Sequence, residues 1–436
     1  MGPLRLRFQR CGYEAADASN TPTPRPLANM AQLLSPNFTE FFNFEWLRVL
    51  GMAPFHGADV AECFEAASKI KPNDPESWCT AWTKAADVAE ASGERALRSG
   101  DREAARMLHH LHDDPRLLDI IAKAIDTFRK ATVLFDSPVH VLEIPYENVR
   151  LPAYLYLPKL PPAGREKTPV IVQTSGFDSI QEEMYYFTAA GARARGYATL
   201  TFDGPGQGIV LLRDKLPMRP DWEVVVSAVL DQLLRWADER PEWNLDTSRI
   251  AIVGCSMGGY FALRGATDPR VKACVSSDGF YDFGVAVRAR TPWFWRYLSD
   301  GVADFLLDLA ARYHFQTRWE FGHCALAFGT RSSSAGMREL QRYTVTREGQ
   351  ESMLCEIKCP VLVTGARDSI YAPIGTDRIY DGLTQLQDGR TKTLWDPVGI
   401  GQGSLQAKIA TLSHLHQEVF GWLDRVFDIK RPQISS

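Results

Sequence analysis

The spacing of apolar residues changes once along the chain, near residue 138. Between Ser35 and about Ser137, apolar and alanine positions recur three and four residues apart, as in DVAECFEAASKI and CTAWTKAADVAEASGERALRSG. This spacing is typical of helices with one buried face. The segments NDPES, from Asn73, and DPRLL, from Asp114, each place a capping residue before a proline in the first turn. We therefore predict an N-terminal helical domain at residues 35–137, without the fixed period of a tandem repeat.

Beyond Pro138 the pattern becomes that of β-strands. The segments HVLEIPY and AYLYLP alternate apolar and polar positions and predict an antiparallel pair. Six continuous apolar runs follow, most of them separated by helical patterns: PVIVQTSG, YATLTFDGPG, RIAIVGCS, VKACVSSDG, PVLVTGARD and TKTLWD. Buried strands that alternate with helices are typical of a mostly parallel sheet. Residues 138–430 are therefore predicted to form an α/β domain.

An insert of about residues 280–350 separates the sixth and seventh predicted strands. It is rich in aromatic residues, as in TPWFWRYL and ARYHFQTRWEF. Two interpretations remain open: a helical lid over a substrate pocket, or helices packed on the edge of the sheet. If the insert is a lid, Trp293 and Trp295 are candidates for the substrate pocket, and we expect the substrate to be large and apolar.

Composition excludes several classes of partner. The 436 residues carry a net charge of -4, and no clustered basic face supports nucleic-acid binding. No apolar run approaches the roughly 18 residues that a transmembrane helix requires. The eight cysteines lack the spacing of a zinc site or a redox pair. We therefore expect free thiols and a cytoplasmic location.

The first 34 residues differ from the rest of the chain. They are basic at first and then rich in proline and threonine. They could form a weak organelle transit peptide. We favour the alternative, a disordered tail or a start codon set too early, with Met30 as the true start.

The sharpest chemical signal is the segment RIAIVGCSMGGYFALRGA. Gly254 to Gly258 form a Gly-x-Ser-x-Gly sequence between a predicted strand and a predicted helix, which is the context of a nucleophile elbow. In such a turn the glycines let strand and helix approach, and the serine hydroxyl projects at the positive end of the helix. Ser256 is the predicted nucleophile, and Cys255 is expected to be a small apolar filler. The alternative is a tight turn with an idle serine.

A nucleophilic serine needs an oxyanion hole, made of N–H donors aimed at the developing negative charge. We expect one donor from Met257 and the other from Phe177, which follows Gly176 in the loop TSGFDS. Asp178 in the same loop could instead simply cap a turn. We place Gly176 and Asp178, together with Asp203 of FDGPGQG, among the substrate-pocket candidates.

The predicted catalytic acid is Asp368, in the segment PVLVTGARDSIYAP. It lies just past the strand that follows the insert, and the chain order of serine before aspartate is that of hydrolases with this elbow. The alternative is an aspartate that stabilises a turn. Asp278 and Asp282, after the sixth strand, are the reserve candidates.

Four segments together resemble one branch of the α/β-hydrolase superfamily: SGFDSIQEEMYYF, FDGPGQG, GCSMGGY and GARDSIYAP. This branch includes fungal pigment and cytochalasan-cluster hydrolases and a bacterial dihydroxypseudooxynicotine hydrolase. The resemblance covers roughly Leu33 to Asp428. It implies an α/β-hydrolase fold with a helical N-terminal domain, an active site between that domain and the sheet, and neither metal nor organic cofactor. It also implies an acyl-type or β-dicarbonyl substrate in fungal-type secondary metabolism. Homodimer formation is left open.

The chain departs from this family in the loop before the last helix. The family carries its catalytic histidine there, and the matching position falls near Gly403 or Ser404. Without a base within hydrogen-bond reach, a neutral serine is a poor nucleophile. The standard Ser–His–Asp mechanism is therefore not the default for this chain.

Other histidines offer limited replacement. His414 and His416 are predicted to lie about three turns into the last helix, roughly 15 Å from its start, on a face packed against the sheet. His314 and His323 of the insert could reach the serine from above. His109, His110 and His112 do not share one helix face.

Three functional interpretations follow. In the first, Ser256 cleaves an ester, thioester or β-dicarbonyl bond with support from Asp368. In the second, the pocket stabilises an enolate and promotes an aldol-type or Knoevenagel condensation, a cyclisation or a dehydration. In the third, the chain is a silent binding partner of a synthase, against which the intact serine turn argues.

Overall fold

The computed structural model describes residues 39–99, 117–162, 166–346 and 352–431. The predicted tail of residues 1–34, with Met30, and the histidines at 109, 110 and 112 lie outside these ranges. In the described part, no helix combines the length and the apolar character that a membrane crossing requires. The seven cysteines described there are all free thiols.

Eight strands form one sheet with the order β1-β2-β4-β3-β5-β6-β7-β8. Their bounds are β1 Val139–Tyr146, β2 Val149–Tyr156, β3 Thr168–Thr174, β4 Ala198–Phe202, β5 Leu245–Cys255, β6 Val271–Ser277, β7 Val361–Thr364 and β8 Lys392–Trp395. Strand β2 runs antiparallel to both of its neighbours, and all other pairs are parallel. The predicted α/β-hydrolase fold, with a mostly parallel sheet, is confirmed.

The central strands are continuous apolar runs because helices cover both faces of the sheet. Every residue of β3 and β4 is buried. One face packs in a core with Trp222 and Phe261, whose rings stack at 3.8 Å. The other face packs with residues of the N-terminal helices and of the last helix. Both faces therefore hold the loops at the carboxyl edge of the sheet in fixed positions.

Thirteen α-helices occur in the described residues. Their bounds are α1 Glu40–Leu50, α2 Val60–Ala67, α3 Pro75–Ser99, α4 Leu117–Thr132, α5 Ala190–Ala194, α6 Glu223–Glu239, α7 Met257–Gly265, α8 Phe283–Arg290, α9 Asp300–Tyr313, α10 Phe315–Ala327, α11 Ser333–Leu340, α12 Thr376–Gly382 and α13 Leu412–Val426. The first four fall in the segment predicted to be helical. Phe41, Phe42 and Trp46 of α1 belong to the same buried cluster as β3, β5 and β6, so this helix is part of the core.

Helices α8 to α11 make up most of the insert. Trp319 of α10 packs against Phe41 of α1, with ring centroids 5.1 Å apart. The insert therefore meets the N-terminal helices over the sheet edge. Trp293 lies in a short 3-10 helix, Trp293–Tyr297, and is 76% exposed.

The last helix begins later than the sequence pattern indicates. Residues 404–411 form irregular turns, and α13 starts at Leu412. Ala407, Lys408 and Ala410 all have positive φ angles, between 56° and 62°, which are rare for residues other than glycine. The prediction that His414 and His416 lie about three turns into the last helix is therefore wrong: His414 lies in its first turn and His416 in its second.

Candidate active site

Ser256 occupies a strained turn between β5 and α7. Its φ and ψ angles are 56° and -123°, and its backbone N–H donates to the Ser277 carbonyl at 2.8 Å. A Cβ atom added to Gly254 would lie 2.0 Å from the Gly258 carbonyl oxygen. Only glycine allows this crossing, so the motif is required by packing, and the strained serine is the geometry of a nucleophile elbow.

Two backbone N–H groups are available beside Ser256. Met257 is the first residue of α7, and Phe177 lies in the loop after β3. Within the described residues, neither N–H has a protein acceptor, and both residues line the cavity that contains Ser256. This arrangement can serve as an oxyanion hole.

The FDGPGQG motif forms hydrogen bonds to the loop after β3 that contains Phe177. The Gln207 side-chain amide donates to the Ser175 and Gly176 carbonyls at 2.9 and 2.8 Å. The Asp203 carboxylate accepts from the backbone of Gln181 at 2.8 Å and is fully buried. Burial raises the pKa of Asp203 well above its ordinary value. Asp203 is therefore a structural anchor for the loop, and its prediction as a pocket residue does not match its position.

The cavity above Ser256 has a volume of about 330 Å³. Phe44 of α1, Phe177, Phe283 of α8 and Trp319 of α10 contribute to a mainly apolar wall. The candidates Gly176 and Asp178 line it, whereas Trp293 and Trp295 do not. The pocket aromatics of the insert thus come from its helices. The 3-10 helix that contains the two tryptophans has no buried residue and lies at the protein surface, outside the cavity wall.

Asp368 lies in the loop after β7 and is bonded to the loop that lacks the histidine. Its backbone N–H donates to the Ser404 carbonyl at 3.0 Å, and its carboxylate accepts from the Ser404 hydroxyl. Asp368 is not among the residues that line the cavity. The Asp368 carboxylate therefore has a serine hydroxyl as its partner, whereas a Ser–His–Asp triad requires an imidazole.

The same loop also contains a fully buried ion pair that sequence reasoning missed. The Lys408 ammonium lies 2.7 Å from Asp278 Oδ1 and donates to the Gly365 carbonyl at 2.5 Å, and both side chains are 0% exposed. Thr364 donates a further hydrogen bond to Asp278. Asp278, a reserve candidate for the acid, is thus neutralised inside the domain. Nothing in the segment LQAKI distinguishes this lysine from a surface lysine.

Gln406 connects this ion pair to the cavity. Its side-chain amide donates to the Asp278 carbonyl at 3.0 Å and accepts from the Ser369 hydroxyl at 2.7 Å. Gln406 and Ala407 line the cavity. The loop that carries a histidine in the family thus presents an amide and a methyl group to the pocket.

Among the histidines considered as a base, His314 lines the cavity, and its Nδ1 lies 3.0 Å from the Thr317 hydroxyl oxygen. His416 is 2% exposed, and its Nε2–H donates to the Phe187 carbonyl at 2.8 Å. Burial lowers the pKa of His416 to about 4, so the ring is neutral and structural. His323 donates through Nε2–H to the Phe177 carbonyl at 3.3 Å and so stabilises the loop after β3 in which Phe177 lies. The Ser256 side chain makes no hydrogen bond to the first turn of α7, and Ser256 lines the cavity.

A charged cluster on the cavity wall was also missed from sequence. Arg48 of α1 contacts Glu183 at 2.5 Å, Asp178 at 2.6 Å and Glu45 at 3.4 Å. Arg48 also donates to the Ser179 hydroxyl at 3.2 Å. The arginine thus connects α1 to the loop after β3 that contains Asp178 and Ser179. The motif GFDS is the available signal, since its aspartate needs a cation when it is buried.

The fold, the serine turn and the cavity agree with what the chain resembles among known proteins. A model of the alpha/beta hydrolase family matches residues 175–393. The chain belongs to the alpha/beta hydrolase family. The alpha/beta hydrolase psoB of Aspergillus fumigatus is 44% identical over 426 residues, which span 91% of this chain and 95% of the relative.

Two further relatives of this chain come from other species. The 20-hydroxy-prefusarin hydrolase FUS2 of Gibberella moniliformis is 43% identical, over 90% of this chain and 98% of the relative. The hydrolyase ccsE of Aspergillus clavatus is also 43% identical, over 90% and 98%.

One solved structure has the same fold over nearly its whole length. The 2,6-dihydroxy-pseudo-oxynicotine hydrolase gives a TM-score of 0.64 at 20% identity, with 88% of this chain and 99% of that chain covered. The resemblance to this branch of the superfamily is confirmed.

Proposed function

We propose that this hydrolase-family protein is a tailoring enzyme of fungal-type secondary metabolism that acts on a reactive carbonyl of a polyketide or polyketide–amino-acid substrate. The observation that carries the proposal is the strained Ser256 on a largely apolar cavity, beside two N–H groups without protein acceptors. Such donors stabilise negative charge on a carbonyl oxygen. The apolar wall suits a large apolar substrate, and the relatives' names support the hydrolase description.

The reaction at this carbonyl has two forms. In the hydrolytic form, Ser256 attacks an acyl group, and Asp368 supports the site. In the non-hydrolytic form, the oxyanion hole stabilises an enolate or an alkoxide, and the product is a condensed, cyclised or dehydrated molecule. The bond between Asp368 and the Ser404 hydroxyl favours the second form, because a serine cannot relay a proton from the nucleophile as imidazole does.

Product mass distinguishes the two forms. The test substrate is an N-(3-oxoacyl) amino aldehyde, which carries an active methylene group and an aldehyde in one molecule. Condensation removes one water from it, and hydrolysis of its amide adds one. The non-hydrolytic form predicts the loss of water in the presence of the purified full chain, faster than in buffer. Net gain of water would instead support the hydrolytic form, and an unchanged substrate would contradict this choice of substrate class.

A second experiment addresses Ser256 itself. Ser256→Ala is expected to lower turnover by about 10³-fold or more in the hydrolytic form, while the far-ultraviolet circular dichroism spectrum is unchanged. Ser413→Ala, on the exposed side of the last helix, is the matched control. Because the loop before α13 contains no histidine, fluorophosphonate probes should label Ser256 slowly. Rapid stoichiometric labelling would contradict the absence of a base.

A further inference from the structure

Three carboxylates meet a single guanidinium on the wall of the cavity. Arg48 forms two close hydrogen bonds to Glu183, at 2.5 and 2.6 Å, and one to Asp178 at 2.6 Å. Glu45 is the most distant of the three, with 3.4 Å between its Oε2 and Arg48 Nη1. One positive charge cannot balance three negative charges in a poorly solvated site, so at least one carboxyl group holds a proton.

The distances identify Glu45 as that carboxyl group. The close contacts of Arg48 to Glu183 and Asp178 are those of charge-assisted bonds, and the 3.4 Å contact to Glu45 is not. Burial is the largest cause of a raised Glu45 pKa; the negative charges of Asp178 and Glu183 add to it, and Arg48 opposes it, leaving the pKa at about 8. Glu45 is therefore neutral at pH 7.

Glu45 is also the carboxyl group with access to substrate. It lines the same cavity as Ser256, whereas Glu183 does not. The groups that face it are Arg48 on its own helix, Asp178 and Glu183 after β3, and the Tyr371 hydroxyl in the loop after β7. Asp178 also lines the cavity, but its carboxylate is held by a 2.6 Å contact to Arg48.

We propose that Glu45 is the proton-transfer residue of this active site and takes the chemical role that histidine has in a Ser–His–Asp triad. The proposal rests on the non-hydrolytic form of the proposed function. A general acid works best when its pKa lies near the pH of the reaction, and a neutral carboxyl group in an apolar pocket meets this condition.

A carboxyl group can donate and accept a proton in one step. The Glu45 O–H gives its proton to the aldehyde oxygen as the carbon–carbon bond forms between the enol carbon and the aldehyde carbon. The other Glu45 oxygen takes the proton of the enol O–H, which becomes a ketone. Glu45 is neutral before and after this step. Loss of the new hydroxyl with a proton of the former methylene group releases water and completes the condensation.

The test measures condensation of the N-(3-oxoacyl) amino aldehyde between pH 5 and pH 10. Glu45→Gln keeps the shape and the neutral charge but has no transferable acid proton. We expect kcat to fall by about 10²–10³-fold, with KM changed by less than about threefold. The wild-type rate should decline above pH 8, and the Glu45→Gln rate should lack this decline. Glu45→Asp should keep the decline at an intermediate kcat.

Glu65→Gln is the matched control, because Glu65 lies on the exposed side of α2, and its kcat and pH profile should equal those of the wild type. A Glu45→Gln variant with wild-type kcat and an unchanged alkaline decline would overturn the proposal. A wild-type protein that leaves the substrate unchanged would contradict the substrate class of the proposed function, and not the protonation of Glu45. In that case infrared difference spectra of wild type against Glu45→Gln still decide the protonation state, and an ionised Glu45 at pH 7 overturns the proposal.

Discussion

Two ion clusters adjoin the Ser256 turn, and they differ in charge balance and in access to the cavity. In the sealed cluster, Lys408 pairs with Asp278, and both side chains are fully buried. In the wall cluster, Arg48 is shared among Glu45, Asp178 and Glu183 at the edge of the cavity. The sealed cluster has one cation for one carboxylate. The wall cluster has three carboxyl groups for one cation, so at least one of them holds a proton.

This difference separates a structural role from a chemical one. The sealed pair fixes the loop of Ala407, Lys408 and Ala410, whose positive φ angles are costly without such support. Its charges have no contact with the pocket. The wall cluster holds an exchangeable proton where a substrate can reach it. A buried charged residue in this protein therefore indicates a catalytic role only if its ion-pair partners leave it a proton to exchange and a substrate in the cavity can reach it.

The largest expected effect is on the sealed cluster. Lys408→Met leaves Asp278 as an unpaired charge in the interior, which should lower the free energy of unfolding by about 3–5 kcal/mol. Urea denaturation followed by circular dichroism measures this change. Lys69→Met, which removes an exposed pair with Glu65, should cost less than about 1 kcal/mol. The double variant Lys408→Met, Asp278→Asn should recover part of the loss. An equal loss in single and double variants would show that the ion pair itself is not the cause.

A smaller effect is expected for the wall cluster. Arg48→Met should cost about 2–3 kcal/mol, because the carboxyl groups beside the cavity can take up protons once the cation is gone. The cost should be greater at pH 8 than at pH 5, since the freed carboxylates are ionised at the higher pH. Denaturation at both pH values measures the difference. A cost as large as that of Lys408→Met, and independent of pH, would remove the distinction between the clusters.

The Glu45 proton predicts a pH dependence of stability. The folded chain holds this proton up to about pH 8, whereas an unfolded glutamate releases it near 4.5. The free energy of unfolding should therefore fall as pH rises through this window, by linkage. Glu45→Gln removes this contribution and should be more stable than the wild type at pH 9, by about 1.4 kcal/mol for each unit by which the folded pKa of Glu45 exceeds 4.5. The two proteins should be equally stable at pH 4. Parallel profiles across the whole range would show that Glu45 is ionised in the fold.

The smallest effect is expected at the partly exposed Asp368. Ser404→Ala removes the hydroxyl donor to its carboxylate but keeps the backbone bond between the two residues. The free energy of unfolding should fall by about 1 kcal/mol. Thermal or urea denaturation at pH 7 measures it, with Ser413→Ala as the control. A loss of unfolding free energy greater than that of Arg48→Met would show that the Ser404 hydroxyl stabilises the fold as strongly as a buried ion pair does.

Much of the fold followed from the sequence because strand signals are local. The apolar runs that predict β3 to β8 are continuous, and the glycines around Ser256 are demanded by the crossing of β5 and α7. The start of the last helix could not be predicted in the same way. The apolar positions after Ser404 are compatible with a helix. In the structure, however, Lys408 forms an ion pair with Asp278, and this contact stabilises the left-handed backbone conformations of Ala407, Lys408 and Ala410 before the helix begins at Leu412. His416 is consequently much closer to the start of the helix than its sequence spacing indicated. It is unavailable because it faces Phe187.

The sequence by itself determined the glycine-rich turn at Ser256, the segment TSGFDS after β3, the acidic residue after β7 and the absence of histidine from residues 399–404, since each depends on residue types at short spacing. Only the tertiary structure decided what surrounds them. Arg48 and Glu45 are 130 or more positions away from Asp178 along the chain, and Lys408 is 130 positions from Asp278. Burial raises the energy of an unpaired charge, so the pairing partners and the site of the extra proton depend on distances that exist only in the folded chain.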